Sequence, residues 1–408
     1  MIVNQKNSAP NRQWGTVRSR IGAAAKLSYA LRLLPRYAWQ SLTRRRPRGT
    51  VHLIISLADH FEPAIVPENG QARAPYHEQE CRLESWCRDY PKIFDSYRDA
   101  NGFPFIDTYF YPAEQYDRAL IDRLAQHCKT GWGEIETHLH HGVGTSDTPE
   151  NTRRQLTEFR DALALEHGCL SYLDGTGIPR YAFVHGNFAL ANSAGGRACG
   201  VDSEMQILAD TGCYADLTLP TGAFHPAQTG KINALYECAL PLGQRAPHRR
   251  GIDLQTGRAP RIFPIIVQGP LLPDRARAKP FRLGIENGAI TASSPATLRR
   301  LQLWKSASIA VQGRPDWLFI KLHCHGMDPA QKEAVLGAPI RNFLRELLDG
   351  AGARNEILHF VSAREMVNIM LAACDGRDAN PGEYRDYRLK RTSSEVCDPR
   401  QTLNRKLS

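Results

Sequence analysis

The chain has ten cysteines in 408 residues but no CxxC pair, which excludes a zinc ribbon and a thioredoxin-type redox motif. No apolar run reaches the roughly 20 residues needed to cross a bilayer. No hydrophobic core follows the initial Met in the manner of a secretory signal. Cys81, Cys87, Cys128, Cys169, Cys213 and Cys238 sit among apolar or helical residues, as reduced thiols of a cytoplasmic protein do. Gly-rich phosphate loops are missing after the expected strands, which argues against dinucleotide binding. There is no internal repeat, and nothing in the body marks a second domain.

Acid is also missing from one end. Residues 1–50 contain 11 Lys or Arg and no Asp or Glu, whereas the rest of the chain is nearly neutral. The formal charge of +10 therefore belongs to an N-terminal extension and does not indicate a nucleic-acid-binding body. From Thr16 to Leu34 the residues Val17, Ile21, Ala24, Leu27, Leu31 and Leu34 recur at helical spacing, with Pro35 expected to end or kink the helix. Tyr37, Trp39 and Leu42 follow, then Arg44, Arg45, Arg46 and Arg48. Residues 16–48 so read as a basic amphipathic segment suited to peripheral contact with the inner membrane surface, or as a helix packed on the body.

Beyond residue 50, strands and helices alternate. Strands are expected at 51–58, 103–111, 134–139, 180–185, 213–219, 261–268, 316–323 and 356–361. Helices are expected at 75–100, 113–128, 149–167, 202–211, 294–310, 329–350 and 362–373. The alternation predicts a parallel sheet with helices outside it, and the number of units favours a distorted (β/α) barrel of about seven strands. The expected organisation is a basic extension over 1–50, a barrel over 51–374 and a polar, loose tail over 375–408. The stretch 221–260, rich in Gly, Pro and polar residues, is expected to be a long functional loop.

In such a barrel, chemistry collects where the strands end at their C-termini. Four expected strand ends carry metal-ligating or proton-transfer groups: Asp59-His60, His138 with His140 and His141, His185-Gly186-Asn187, and His323-Cys324-His325. Taken singly, each is as readily a hydrogen-bonded core histidine; four together point to one rim. On a strand, His138 and His140 share a face; on a helix, His138 and His141 do. Either pair could clasp a metal ion. Carboxylates for a glycosidase pair are also present in Glu62, Glu136 and Glu204.

Leu57-Ala58-Asp59-His60, the run Glu134-Ile135-Glu136-Thr137-His138-Leu139-His140-His141-Gly142, Ala182-Phe183-Val184-His185-Gly186-Asn187 and Phe319-Ile320-Lys321-Leu322-His323 resemble, in that order, the motifs of the polysaccharide deacetylase family with the NodB-homology domain. The resemblance runs from about Val51 to about Met370. It implies a distorted (β/α) barrel, a divalent metal, usually zinc, and removal of an acyl group from a sugar of a polysaccharide or lipid-linked glycan. It also implies that Asp59, His138 and His140 or His141 hold the metal, with Asp59 as base and His323 as general acid. His185, Asn187 and His325 would then face the substrate. The chain departs from the family pattern in three places. One acid stands where the family has two adjacent Asp, so either Asp59 or His60 is the ligand. Gly142 occupies the slot of the second histidine, and Val184 stands in place of an Arg. The competing expectations are a glycoside hydrolase and a pseudoenzyme that binds metal or glycan.

Overall fold

The structure is a computed structural model that describes residues 23–44, 47, 49–67, 72–221, 225, 227–228, 230–277 and 284–391. Eight parallel strands form its frame: β1 (Val51–His60), β2 (Asp107–Pro112), β3 (Glu134–Leu139), β4 (Thr176–His185), β5 (Cys213–Asp216), β6 (Ile265–Val267), β7 (Trp317–Cys324) and β8 (Glu356–Phe360). β7 flanks β1 on one side. On the other side β1 is shared lengthwise, residues 51–55 pairing with β8 and 57–60 with β2. The order then runs β2, β3, β4, β5, β6.

β1 is a nearly continuous apolar run because both of its faces are covered. Leu53, Ile55 and Leu57 pack with Trp86, Tyr90 and Phe94 of the helix Tyr76–Phe94. Ile54 and Ala58 face the other way, onto Met366, Val367 and Met370. Those three lie on the helix Ala363–Cys374, all of whose residues are buried. Ser362 and Glu365 close its first turn with a reciprocal capping box. This helix fills the space that side-chain layers fill in a regular barrel.

The frame is mixed α/β with a large, mostly parallel sheet, as expected. Among the described residues, however, the strands do not pair into a closed ring. Beyond β6 the sheet continues antiparallel, through Leu235–Cys238 to Gly251–Asp253. The stretch 221–260 is therefore not all loop: Leu235 and Tyr236 are apolar enough to bury against Ile266 and so extend the sheet. Across the gap, the Lys321 ammonium of β7 donates to the Leu217 carbonyl just past β5 at 2.8 Å. Residues 288–290 lie alongside His323 by backbone hydrogen bonds.

Three other expectations change. The expected helix 329–350 is split into Lys332–Leu336 and Ala338–Gly350, because Pro339 lacks an N–H and starts a helix rather than continuing one. The N-terminal helix spans Ala23–Thr43 and runs through Pro35; residues 16–22 lie outside the described residues. Leu33, Tyr37, Gln40 and Arg44 form its half-buried side. Gln40 donates to the Ile232 carbonyl at 2.6 Å and Arg44 to the Ser308 carbonyl at 3.0 Å, anchors that hold the helix in register past the proline. Residues 375–391 are packed rather than loose. Leu389–Arg391 pairs with Ser171–Leu173, and Arg385 lies buried against Asp99 and Glu365. Arg385, Asp386, Arg388 and Arg391 are spent on ion pairs with the body, which composition alone does not distinguish from solvation. The rest of the tail, 392–408, lies outside the described residues. No disulfide forms among the nine described cysteines, and no described helix is long and apolar enough to cross a membrane.

Candidate metal centre

The C-terminal ends of β1, β3 and β7 bring five histidines together, His60, His138, His140, His323 and His325. His60 lies with its ring centroid 5.0 Å from that of His138, 4.6 Å from His325 and 6.3 Å from His323. His138 and His140 share a face, as strand alternation predicts, with centroids 4.5 Å apart. Glu62, just past β1, places Oε1 at 3.5 Å from His138 Nε2 and 3.9 Å from His140 Nε2. His60, Glu62 and His138 form a buried group able to hold a metal ion.

Hydrogen bonds behind the imidazoles fix their orientation. His138 Nδ1 faces the Val184 carbonyl at 2.7 Å. A carbonyl only accepts, so Nδ1 carries the hydrogen and Nε2 presents a lone pair. That Nε2 is buried without a hydrogen-bond partner. His140 Nδ1 faces Glu114 Oε1 at 2.8 Å, and its backbone N–H donates to Glu114 Oε2 at 3.2 Å. This is the carboxylate–histidine arrangement that orients metal ligands. The residues present therefore fit a divalent ion.

Electrostatics agree. Burial pushes the His60 imidazole well below its ordinary range, with His325, His138, His323 and Lys321 adding to the effect; a neutral imidazole is the ligating form. Burial alone would raise Glu62, but the nearby His138, His140 and His325 imidazoles outweigh it and hold the carboxyl at about 2. Burial opposes protonation of His140, yet Glu114 and Glu62 raise it.

Asp59 is not part of this group. It points to the opposite face of β1 from His60, where Oδ1 accepts the Gly326 N–H at 2.6 Å. A Cβ at Gly326 would sit 2.2 Å from Asp59 Oδ2 and 2.6 Å from the Trp86 ring, so only glycine admits this approach. Burial pushes the Asp59 carboxyl up to about 7 against the Gly326 hydrogen bond. The expectation that Asp59 ligates the metal gives way to His60 and Glu62, because adjacent strand residues face opposite ways.

His141 also leaves the rim, so His140 is the partner of His138. His141 turns inward to a second buried group with His185, Cys199 and Glu204. His185 is fully buried there, which removes it from the expected substrate-facing set. Asn187 is exposed in a left-handed conformation (φ 56°) beside the rim. Its neighbour Phe188 has its ring 6.1 Å from His60 and 5.8 Å from His225. His323 and His325 both reach the rim, His323 buried and His325 half-buried.

The chain matches no protein-family model and no curated protein.

Two members of the site escaped the sequence reading. Glu114 stands just past β2, and the strand-end argument used for the other four ends would have found it had it been applied there. Cys199 carries no local signal: no second ligand lies within two residues of it. Of the glycosidase candidates, only Glu62 is at the rim. Glu136 accepts the Ala182 N–H at 2.6 Å and pairs with the Tyr214 hydroxyl, and Glu204 belongs to the second group.

Proposed function

We propose that the chain is a metal-dependent hydrolase that removes an acyl group, of the N-acetyl type, from a sugar of a polysaccharide or glycan precursor. The observation that carries the metal site is His138, its Nδ1 tied to the Val184 carbonyl and its Nε2 buried without a hydrogen-bond partner beside Glu62. The motif resemblance supplies the substrate class. The rolled, open sheet is compatible with the distorted barrel that the resemblance implies.

A zinc-like ion held by His60, Glu62, His138 and His140 would supply Lewis acidity toward the acyl carbonyl and acidify a water. Glu114 orients His140, as carboxylates behind ligating histidines do. His323 moves the proton. Burial, with Lys321, His325 and Arg300 adding, holds its imidazole well below the ordinary range. It therefore starts neutral, takes a proton from the attacking water and returns it to the leaving amine or alkoxide. His325 and Phe188 both flank His60, with ring centroids 4.6 Å and 6.1 Å away, and Asn187 is exposed next to Phe188.

The N-terminal helix adds a peripheral contact with an anionic membrane surface. Its outward side exposes Leu34, Trp39 and Leu42 at 42%, 68% and 84%, while its inner side is docked on the body. Such a helix would bring the protein to a membrane surface that carries lipid-linked glycans.

The test is metal content together with acetate release from N-acetylated oligosaccharides, for wild type and His138→Ala. The expected result is acetate from the wild type and none from the variant. Reducing sugar in place of acetate would make the protein a glycoside hydrolase. Glycan binding with metal but without turnover would make it a pseudoenzyme.

A further inference from the structure

We propose that His141, His185, Glu204 and Cys199 form a second, closed divalent-metal centre of the zinc type, separate from the rim site. Their ligand atoms lie within 4.8 Å of one another, and the four residues are 5% exposed or less.

Hydrogen counting carries the argument. His141 Nδ1 faces Asp147 Oδ2 at 2.9 Å, and His185 Nδ1 faces the Gly186 carbonyl. Both partners are acceptors, so each Nδ1 carries the hydrogen of a neutral imidazole and each Nε2 presents a lone pair. Yet the two Nε2 atoms lie 3.1 Å apart, and they stand 2.7 Å and 3.3 Å from the same Glu204 oxygen, Oε1. Three acceptors thus converge on one buried point. One added proton on His141 satisfies its bond to Glu204 and leaves His185 Nε2 lone pair against oxygen. A single cation satisfies all three, and burial makes unsatisfied acceptors costly.

The remaining geometry suits a permanent site. The other Glu204 oxygen accepts the Ala191 N–H at 2.5 Å and the Cys199 thiol at 3.6 Å. Metal uptake expels that thiol proton to solvent and frees the sulfur to ligate. Two imidazoles, a carboxylate and a thiolate make a set of four, which leaves no open position and favours zinc. Asp147 behind His141 is itself fixed by Thr152 at 2.8 Å and Asn151 at 2.7 Å.

The centre would staple three loops beside the rim. Ala198 donates to the Gly142 carbonyl at 3.0 Å and Asp147 to the Cys199 carbonyl at 2.8 Å. At Gly142 (φ 63°) a Cβ would sit 2.0 Å from the Cys199 carbonyl oxygen. Gly142 is therefore the residue that lets the 199–204 loop close over His141.

The experiment is to strip the full-length protein of metal and reload it with Co2+, following bound equivalents and the near-ultraviolet thiolate-to-cobalt charge-transfer band. Wild type is expected to take two equivalents and show the band. His138→Ala should take one equivalent and keep the band, and Cys199→Ser should lose it. Uptake of a single equivalent that His138→Ala abolishes, or a cobalt-loaded wild type with no thiolate band, would overturn the second centre. The comparison of wild type with His138→Ala decides the matter even if Cys199→Ser does not fold. Loss of the rim site leaves the band in place, so failure of the hydrolase reading and failure of this one give different results.

Discussion

The Val184 carbonyl, at the end of β4, holds His138 Nδ1 at 2.7 Å and thereby aims Nε2 at Glu62 from the neighbouring end of β3. One backbone oxygen sets both the tautomer and the direction of a candidate metal ligand. His138→Ala should cost one bound metal equivalent and at least ~10³-fold in turnover, with the far-ultraviolet spectrum unchanged. Elemental analysis alongside acetate release checks this, and an active variant would refute the rim site.

Glu114 and Asp59 separate the observed site from the one expected from sequence. Glu114→Gln keeps the shape but weakens the acceptor behind His140, so metal affinity should fall by about 10–100-fold. Asp59→Asn keeps the oxygen that accepts the Gly326 N–H and touches no rim ligand, so bound metal should be unchanged. Competition with a chelator measures both. Metal loss in Asp59→Asn would restore Asp59 as a ligand.

The sheet, its helices and the rim were legible because they rest on periodicity and on chain order. β1 shows a continuous apolar run, β3 alternates, and strand ends collect histidines. What was not legible depends on facing. Asp59 and His60 are adjacent in sequence, and only the covering of each face decides which one points to the rim. His140 and His141 differ in the same way: the first stays in strand alternation, and the second turns in behind Gly142. That the described strands do not close into a ring was also illegible, because the buried helix Ala363–Cys374 has an ordinary length and cap. Its position against the sheet depends on contacts with β1 and β4 that are remote in sequence.

Acid should weaken the fold through His359. Burial, with Arg385 and His52 nearby, lowers its imidazole to about 3. Its Nδ1 faces Asn101 Oδ1 at 2.9 Å and its Nε2 faces His52 Nδ1 at 2.9 Å. Its folded value lies below the unfolded one of about 6.5, so the unfolded chain binds the proton first. The stabilisation is complete above pH 6.5 and is lost as pH falls from there toward 3. At pH 5 the loss is about 2 kcal/mol. Denaturant unfolding at pH 7 and pH 5 should show His359→Gln losing about that much less than wild type; equal losses would clear His359.

The N-terminal helix gives the last test. Leu34, Trp39 and Leu42 face solvent, whereas Gln40 and Arg44 face the body. An exposed apolar side beside a segment with 11 basic and no acidic residues in its first 50 matches an anionic lipid surface better than another copy of the same basic segment, which would repel it. Full-length protein should sediment with vesicles containing phosphatidylserine and not with purely zwitterionic ones. Binding should weaken as salt rises, because the charge component is screened. Leu42→Asp removes apolar contact and adds repulsion, so partitioning should drop about tenfold or more, with metal content and acetate release from soluble oligosaccharides unchanged. Light scattering that instead shows a wild-type dimer abolished by Leu42→Asp would assign this side to a second copy of the chain.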